Sequence, residues 1–225
     1  DEGVTRKLLV EEYDNLYAIS LHRAEKGVAD NLVRLLAHPV QFSNTAKQMV
    51  QKKLATTPLD ADQQAGVLTM LSSRICILTG GPGVGKTTTF KEVAAACKLL
   101  GKSILACAPT GKAAKRLAQV AGVPTSTMHK TLNLHSGDDE GADVDARDAL
   151  ASVKREFLRA DAIFIDESSM NDIFLLRHLL HRIKSGTSQV FFGGDVDQLP
   201  SIGPGETFRD LIGSGAIPVV QLNTV

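Results

Sequence analysis

Tryptophan is absent from this chain, and only two tyrosines occur among its 225 residues. That argues against a broad base-stacking platform, which is built from aromatic faces. A net charge of either sign is also lacking, because 25 basic residues meet 25 acidic ones. Any contact with a polyanion must therefore come from local patches. Cysteine is sparse: Cys76, Cys97 and Cys107 form no C-x-x-C pair. An odd, unpaired set fits buried thiols in a reducing cytoplasm better than a disulfide frame. No apolar run approaches the ~20 residues that span a bilayer, and no signal peptide is visible. The chain is expected to be cytoplasmic, with no membrane partner. It begins at Asp1 rather than Met and stops at Val225, so it reads as a piece of something longer.

The composition is 43% hydrophobic, enough for a substantial core in one domain with or without an appendage. Residues 1–57 read as mostly helical. Leu21, Ala24, Val28, Leu32 and Leu35 recur at spacings of three and four, with Ser20 as the candidate cap and His38-Pro39 as the stop. A second helix is expected over 43–55. This region reads as a packing appendage rather than a recognition surface, since amphipathic helices usually cover a core.

From Pro58 onward, strands and helices alternate. Apolar runs at 74–79, 103–108, 162–165, 189–192 and 217–222 read as strands, and 85–100, 113–121 and 173–183 as helices. Continuous apolar strands between helices imply an α/β fold, a parallel sheet covered on both faces. Ligands then bind outside the carboxyl ends of the strands. Residues 135–148 are acidic and nearly free of large apolar side chains, the pattern of an exposed loop.

Gly80-Gly81-Pro82-Gly83-Val84-Gly85-Lys86-Thr87 satisfies G-x-x-x-x-G-K-[ST] between an expected strand and helix. Glycines let a backbone wrap phosphates and aim its N–H groups inward, and the helix start adds favourable potential. The expected ligand is ATP with Mg²⁺. Gly81, Gly83, Val84, Gly85, Lys86, Thr87 and Thr88 form the cradle; Lys86 reaches the β- and γ-phosphates and the Thr87 hydroxyl ligates Mg²⁺. Asp166 and Glu167 follow the strand at 162–165. Asp166 is the candidate Mg²⁺ holder and Glu167 the candidate base for the attacking water. A pair of helix-start acids is the structural alternative.

Other motifs leave alternatives open. Gly194-Asp195 and Gln198 follow the strand at 189–192. Gln198 is either a γ-phosphate sensor or part of an Asx turn before Pro200. Asp60-x-x-Gln63 is a capping box with Asp in place of Ser or Thr, yet the Gln63 amide also suits an adenine edge. Thr110 and Lys112 lie after the second strand, and Thr127 and His129 form a further cluster; these could grip nucleic-acid phosphates or form a solvated face. His178 and His181, one helical turn apart, read as a surface pair rather than a metal site.

In order the motifs read LDADQQAGV, LTGGPGVGKTTT, APTGKAAKRL, STMHKTL, FIDESSM and GGDVDQLPSIGPGETFRDLI. This series resembles the RecD/TraA branch of superfamily 1 helicases, similar to the exodeoxyribonuclease V alpha subunit, from Leu59 onward. The resemblance implies a RecA-like P-loop fold in which the 189–192 strand lies between the P-loop strand and the Asp166 strand. It implies that Gln63 reads adenine, that Gln198 sits near the γ-phosphate, and that Thr110, Lys112, Thr127 and His129 touch single-stranded DNA. It further implies ATP-driven 5′–3′ movement, with recombination or repair subunits as partners. On this reading residues 58–225 are the first motor domain, with the second motor domain and its arginine fingers absent. Such a finger is worth ~10³–10⁵ in rate, so slow hydrolysis is expected. A nucleotide-gated protein-interaction module, without helicase activity, is the competing class.

Overall fold

The structure is a computed structural model that describes residues 9–134, 156–198 and 201–223. The acidic 135–148 stretch and Pro200 lie outside the described residues. A two-stranded hairpin, β1 (Leu9–Glu12) and β2 (Asn15–Ala18), opens the chain. Helices α1 (Ile19–Leu36), α2 (Asn44–Leu54) and α3 (Ala61–Ser72) follow. Then come β3 (Ile75–Thr79), α4 (Lys86–Leu99), β4 (Ile104–Ala108), α5 (Gly111–Ala121), β5 (Thr125–Thr127) and α6 (Met128–Leu132). The chain closes through β6 (Ala162–Ile165), α7 (Ile173–His181), β7 (Gln189–Gly194), α8 (Thr207–Gly213) and β8 (Val219–Gln221).

Six strands form one parallel sheet in the order β5-β4-β6-β7-β3-β8. The expected insertion of β7 between β3 and β6 is observed. Every residue of β3, β6 and β7 is buried, which is why these strands read as unbroken apolar runs. The two-residue period of a strand splits them between two cores. Cys76, Leu78, Phe164 and Phe191 face one layer with Phe90, Val93 and Leu117. Ile75, Ile77, Ile163, Val190 and Phe192 face the other, with Leu35, Leu176, Leu179 and Phe208. The edge-to-face pair of Phe90 and Phe164, centroids 5.3 Å apart, locks α4 onto the sheet. All three cysteines are free and buried. Burial pushes the Cys76 and Cys107 thiols up to about 12 and Cys97 up to about 11.

The described N-terminal region is mostly helical, as expected, but it begins differently. Residues 9–18 are a hairpin whose turn places Tyr13 (φ 49°) and Asp14 (φ 63°) in the left-handed region. Ser20 is not the cap, because α1 starts at Ile19 after Ala18 with no side-chain cap bond. The Ser43 hydroxyl, by contrast, accepts from Ala46 N at 3.2 Å and starts α2.

Two arginines bind this region to the rest of the domain. Arg34 donates to Leu180 O at 2.9 Å and Ile183 O at 3.0 Å, closing the C-terminal end of α7. Arg74, 8% exposed, donates to His38 O, Pro39 O, Gly186 O and Ser188 O at 2.7–3.4 Å. Removing one buried donor strands several carbonyls at once. Arg74→Ala is expected to cost about 2–4 kcal/mol of unfolding free energy in urea; a loss below about 0.5 kcal/mol would show that the clamp is idle.

Candidate functional site

Strand β3 ends at Thr79, and the loop from Gly80 to Gly85 delivers the chain into α4. Gly85 precedes the helix at φ 93°, a conformation that a side chain resists. A Cβ there would also lie 2.6 Å from Gln63 Nε2, but that is the movable end of a side chain, so the backbone conformation is what requires glycine. The Val84 side chain is buried in the core and anchors the loop. Lys86 Nζ donates to Gly81 O at 2.8 Å and to Gly80 O. The ammonium is thus held over the loop that its own helix terminates.

Asp166 leaves β6 beside this loop. Its N–H donates to Cys107 O at 3.0 Å, and the residue is 6% exposed. Burial, followed by the Glu167 charge, pushes the Asp166 carboxyl up to about 6; a backbone hydrogen bond at Glu167 and the charges of Lys86 and Arg116 pull the other way. Gly193 on β7 gives this carboxyl room, since a Cβ there would lie 3.3 Å from Asp166 Oδ1 and 2.4 Å from the Phe90 ring. Glu167 stands at φ 52° before a short 3₁₀ turn, Ser168–Met170, and makes no cap bond. A non-glycine residue held there is strained by ~1–3 kcal/mol, the kind of strain that clusters at functional sites.

The Asx turn of the Gln198 segment is present, and the residue also borders the cleft. Asp195 Oδ1 accepts from Asp197 N at 3.0 Å, which is the Asx turn, and Gln198 lines the cleft beside Asp166 and Glu167. Gln63 is also divided. Its Oε1 accepts from Asp60 N at 3.2 Å and completes the capping box, while its Nε2 donates to Val84 O at 3.3 Å. The amide therefore braces the back of the P-loop.

An open cleft of about 250 Å³ gathers Gly83, Gly85, Lys86, Thr87, Thr88, Asp166, Glu167 and Gln198. Gly81 and Val84 border a second cleft on the β8 side of the loop, with Asp195 and Asn223. Thr110, Lys112, Thr127 and His129 lie apart from the first cleft, along the same sheet edge. The register Ala108↔Thr127 sets their two loops side by side. Thr110 and Thr127 act as helix caps, accepting from Ala113 N at 3.2 Å and Lys130 N at 3.3 Å. Sequence reasoning assigned no role to Arg116, which also lines the first cleft. The available signal was its position on the helix that follows β4, next to β6 in the sheet.

The cleft's donor set fits a phosphate chain with Mg²⁺. Oxygen donors, namely the Thr87 hydroxyl and the two carboxylates, converge with one ammonium and the start of α4. Among the described residues no group of three or more His, Cys, Asp or Glu could hold a metal unaided. Mg²⁺ does not require one, because it binds through one or two carboxylates plus substrate phosphates.

Residues 58–225 match the family described as the AAA domain. The chain belongs to that family. Its motor domain is of the superfamily 1 RecD type, with a RecA-like sheet. It is 36% identical over 211 residues to the ATP-dependent RecD2 DNA helicase of Deinococcus radiodurans, a match covering 93% of this chain and 27% of that protein. It is 31% identical over 233 residues to the RecBCD enzyme subunit RecD of Mycobacterium tuberculosis, covering 94% of this chain and 39% of that one. The chain thus spans well under half the length of these relatives. Among solved structures, the Pif1 helicase from Candida albicans is similar at 20% identity and a TM-score of 0.49, over 76% of this chain and 41% of that chain. No helix among the described residues is long and apolar enough to cross a membrane.

The Asp166 environment has a pH signature. Its folded pKa of about 6 lies above the ordinary 3.8, so the folded state holds the proton more tightly than the unfolded chain. The resulting stabilisation is complete below 3.8 and is lost as pH rises through 6. Asp166→Asn removes this penalty. In the absence of nucleotide and metal it should stabilise the protein by up to about 3 kcal/mol at pH 8 and have little effect at pH 3.5. Equal effects at both pH values in thermal melts would contradict the assignment.

Proposed function

We propose that this chain is the first motor domain of an ATP-dependent 5′–3′ DNA helicase, and that it binds Mg·ATP in the cleft beside Lys86. The observation that carries the reading is the meeting of Lys86, Thr87, Asp166, Glu167 and Gln198 around one opening. Lys86 exchanges its loop carbonyls for the β- and γ-phosphate oxygens. The backbone N–H groups of Gly81 and of residues 83–88 line the phosphate path, and Gln63 offers its amide to the adenine edge. Thr87 and Asp166 would hold Mg²⁺, which would supply charge neutralisation at the phosphates. Glu167 takes the proton of the attacking water. Gln198 lies where the presence of a terminal phosphate is felt.

Thr110, Lys112, Thr127 and His129 form this domain's part of a single-stranded DNA groove. Their helix starts and side chains suit backbone phosphates rather than bases. A zero net charge is compatible with this because the contact is local. The relatives include both a protein named a helicase and subunits of the RecBCD enzyme, so assembly with other recombination or repair subunits is proposed for a longer chain. Two lobes closing on ATP and reopening after hydrolysis would move the grip on DNA.

The direct test is titration of these 225 residues with a fluorescent ATP analogue and Mg²⁺. Saturable binding is expected, and Lys86→Ala should weaken it at least about 100-fold. Tight binding retained by that variant would refute the placement of Lys86. Turnover by these residues alone should fall about 10³-fold or more below that of a chain carrying a second lobe and its arginine finger. Single-stranded DNA should stimulate the longer chain; no stimulation would favour a nucleotide-gated interaction module.

A further inference from the structure

Helix α5 carries a cation into the nucleotide cleft. Arg116 lines it together with Lys86, Thr87, Asp166, Glu167 and Gln198, and Val120, one helical turn further on, lines the same wall. Arg116 is exposed and makes no hydrogen bond or ion pair with another described residue. Its side chain is therefore uncommitted, whereas Lys86 is held by the carbonyls of Gly80 and Gly81. The two cations enter from different helices: Lys86 from the first turn of α4, and Arg116 from α5, which follows β4 and so stands on the β6 side. It shares the cleft wall with the two acids at the end of β6, and its field reaches Asp166.

We infer that Arg116 is a further substrate-contacting residue, which pairs with the terminal phosphate of a nucleoside triphosphate at the Asp166–Glu167 end of the cleft. The inference rests on the nucleotide-binding reading above. The chemistry is that of a planar, permanently charged fork meeting phosphate oxygens, which an ammonium matches only as a point charge. A triphosphate with one divalent ion remains net negative, so a second cation near its end is favourable.

The placement also has a mechanical consequence. Thr110 caps α5 and Lys112 lies in its first turn, and both belong to the proposed DNA contact. Arg116 is six residues from Thr110, about 9 Å along a helix. One short rigid helix then touches DNA phosphates at its start and the terminal nucleotide phosphate part-way along.

The test compares Mg²⁺ complexes of a non-hydrolysable triphosphate analogue and of ADP, bound to the native chain, Arg116→Gln and Arg116→Lys. For Arg116→Gln, triphosphate affinity should fall about tenfold while ADP affinity stays within about twofold. Arg116→Lys should fall between the native chain and Arg116→Gln. The exposed position predicts unchanged melting temperatures. Unchanged triphosphate binding by Arg116→Gln, or equal losses for both nucleotides, would overturn the assignment while leaving the nucleotide site intact. Failure of the native chain to bind either nucleotide would overturn the site itself, and the role of Arg116 with it.

Discussion

Because β7 pairs in parallel with β3 on one side and β6 on the other, three chain segments leave the sheet along one edge. That pairing brings the Gly80–Gly85 loop, the Asp166–Glu167 acids and the Gln198 turn into one cleft, although Lys86 and Gln198 are far apart in sequence. Parallel strands must be buried on both faces, and the two apolar layers supply that cover. The cleft is thus a by-product of the sheet's directionality. Its chemistry then comes from which residues stand just past each strand end.

Burial cuts both ways at this edge. It seats Asp166 against the sheet, holds the carboxyl in place, and makes its charge costly until a cation arrives. The same logic runs with opposite sign at the other end of the molecule. Arg34 and Arg74 are tolerated in packed surroundings because each guanidinium nitrogen meets an acceptor oxygen. Those bonds make residues 19–39 part of the domain's support. α1 lies along α7, where Gly27 leaves space for the Arg177 side chain.

The sequence was most readable where chemistry and geometry demand the same residue. Gly85 needs a left-handed backbone where a phosphate loop also needs close backbone approach, so the P-loop could be recognised and placed from the sequence. The strand cores could be placed because full burial erases polar interruptions. Where several solutions are equally good physically, the sequence was silent. The hairpin at 9–18 turns through Tyr13-Asp14, a pair without the glycine that usually marks such a turn. The amide of Gln63 could not be assigned because its oxygen and its nitrogen meet different partners. Arg116 was hidden in a run of basic residues, and only the lining of the cleft reveals which of them stands with the acids.

Amide hydrogen exchange with and without Mg·ATP tests the central claim most directly, because it reads the loop, the acids and the glutamine turn in one experiment. Slowed exchange is predicted at residues 80–88, 166–170 and 195–198, with the rest of the sheet unaffected. Unchanged exchange at 80–88 under saturating Mg·ATP, or protection confined to segments outside this edge, would contradict the account.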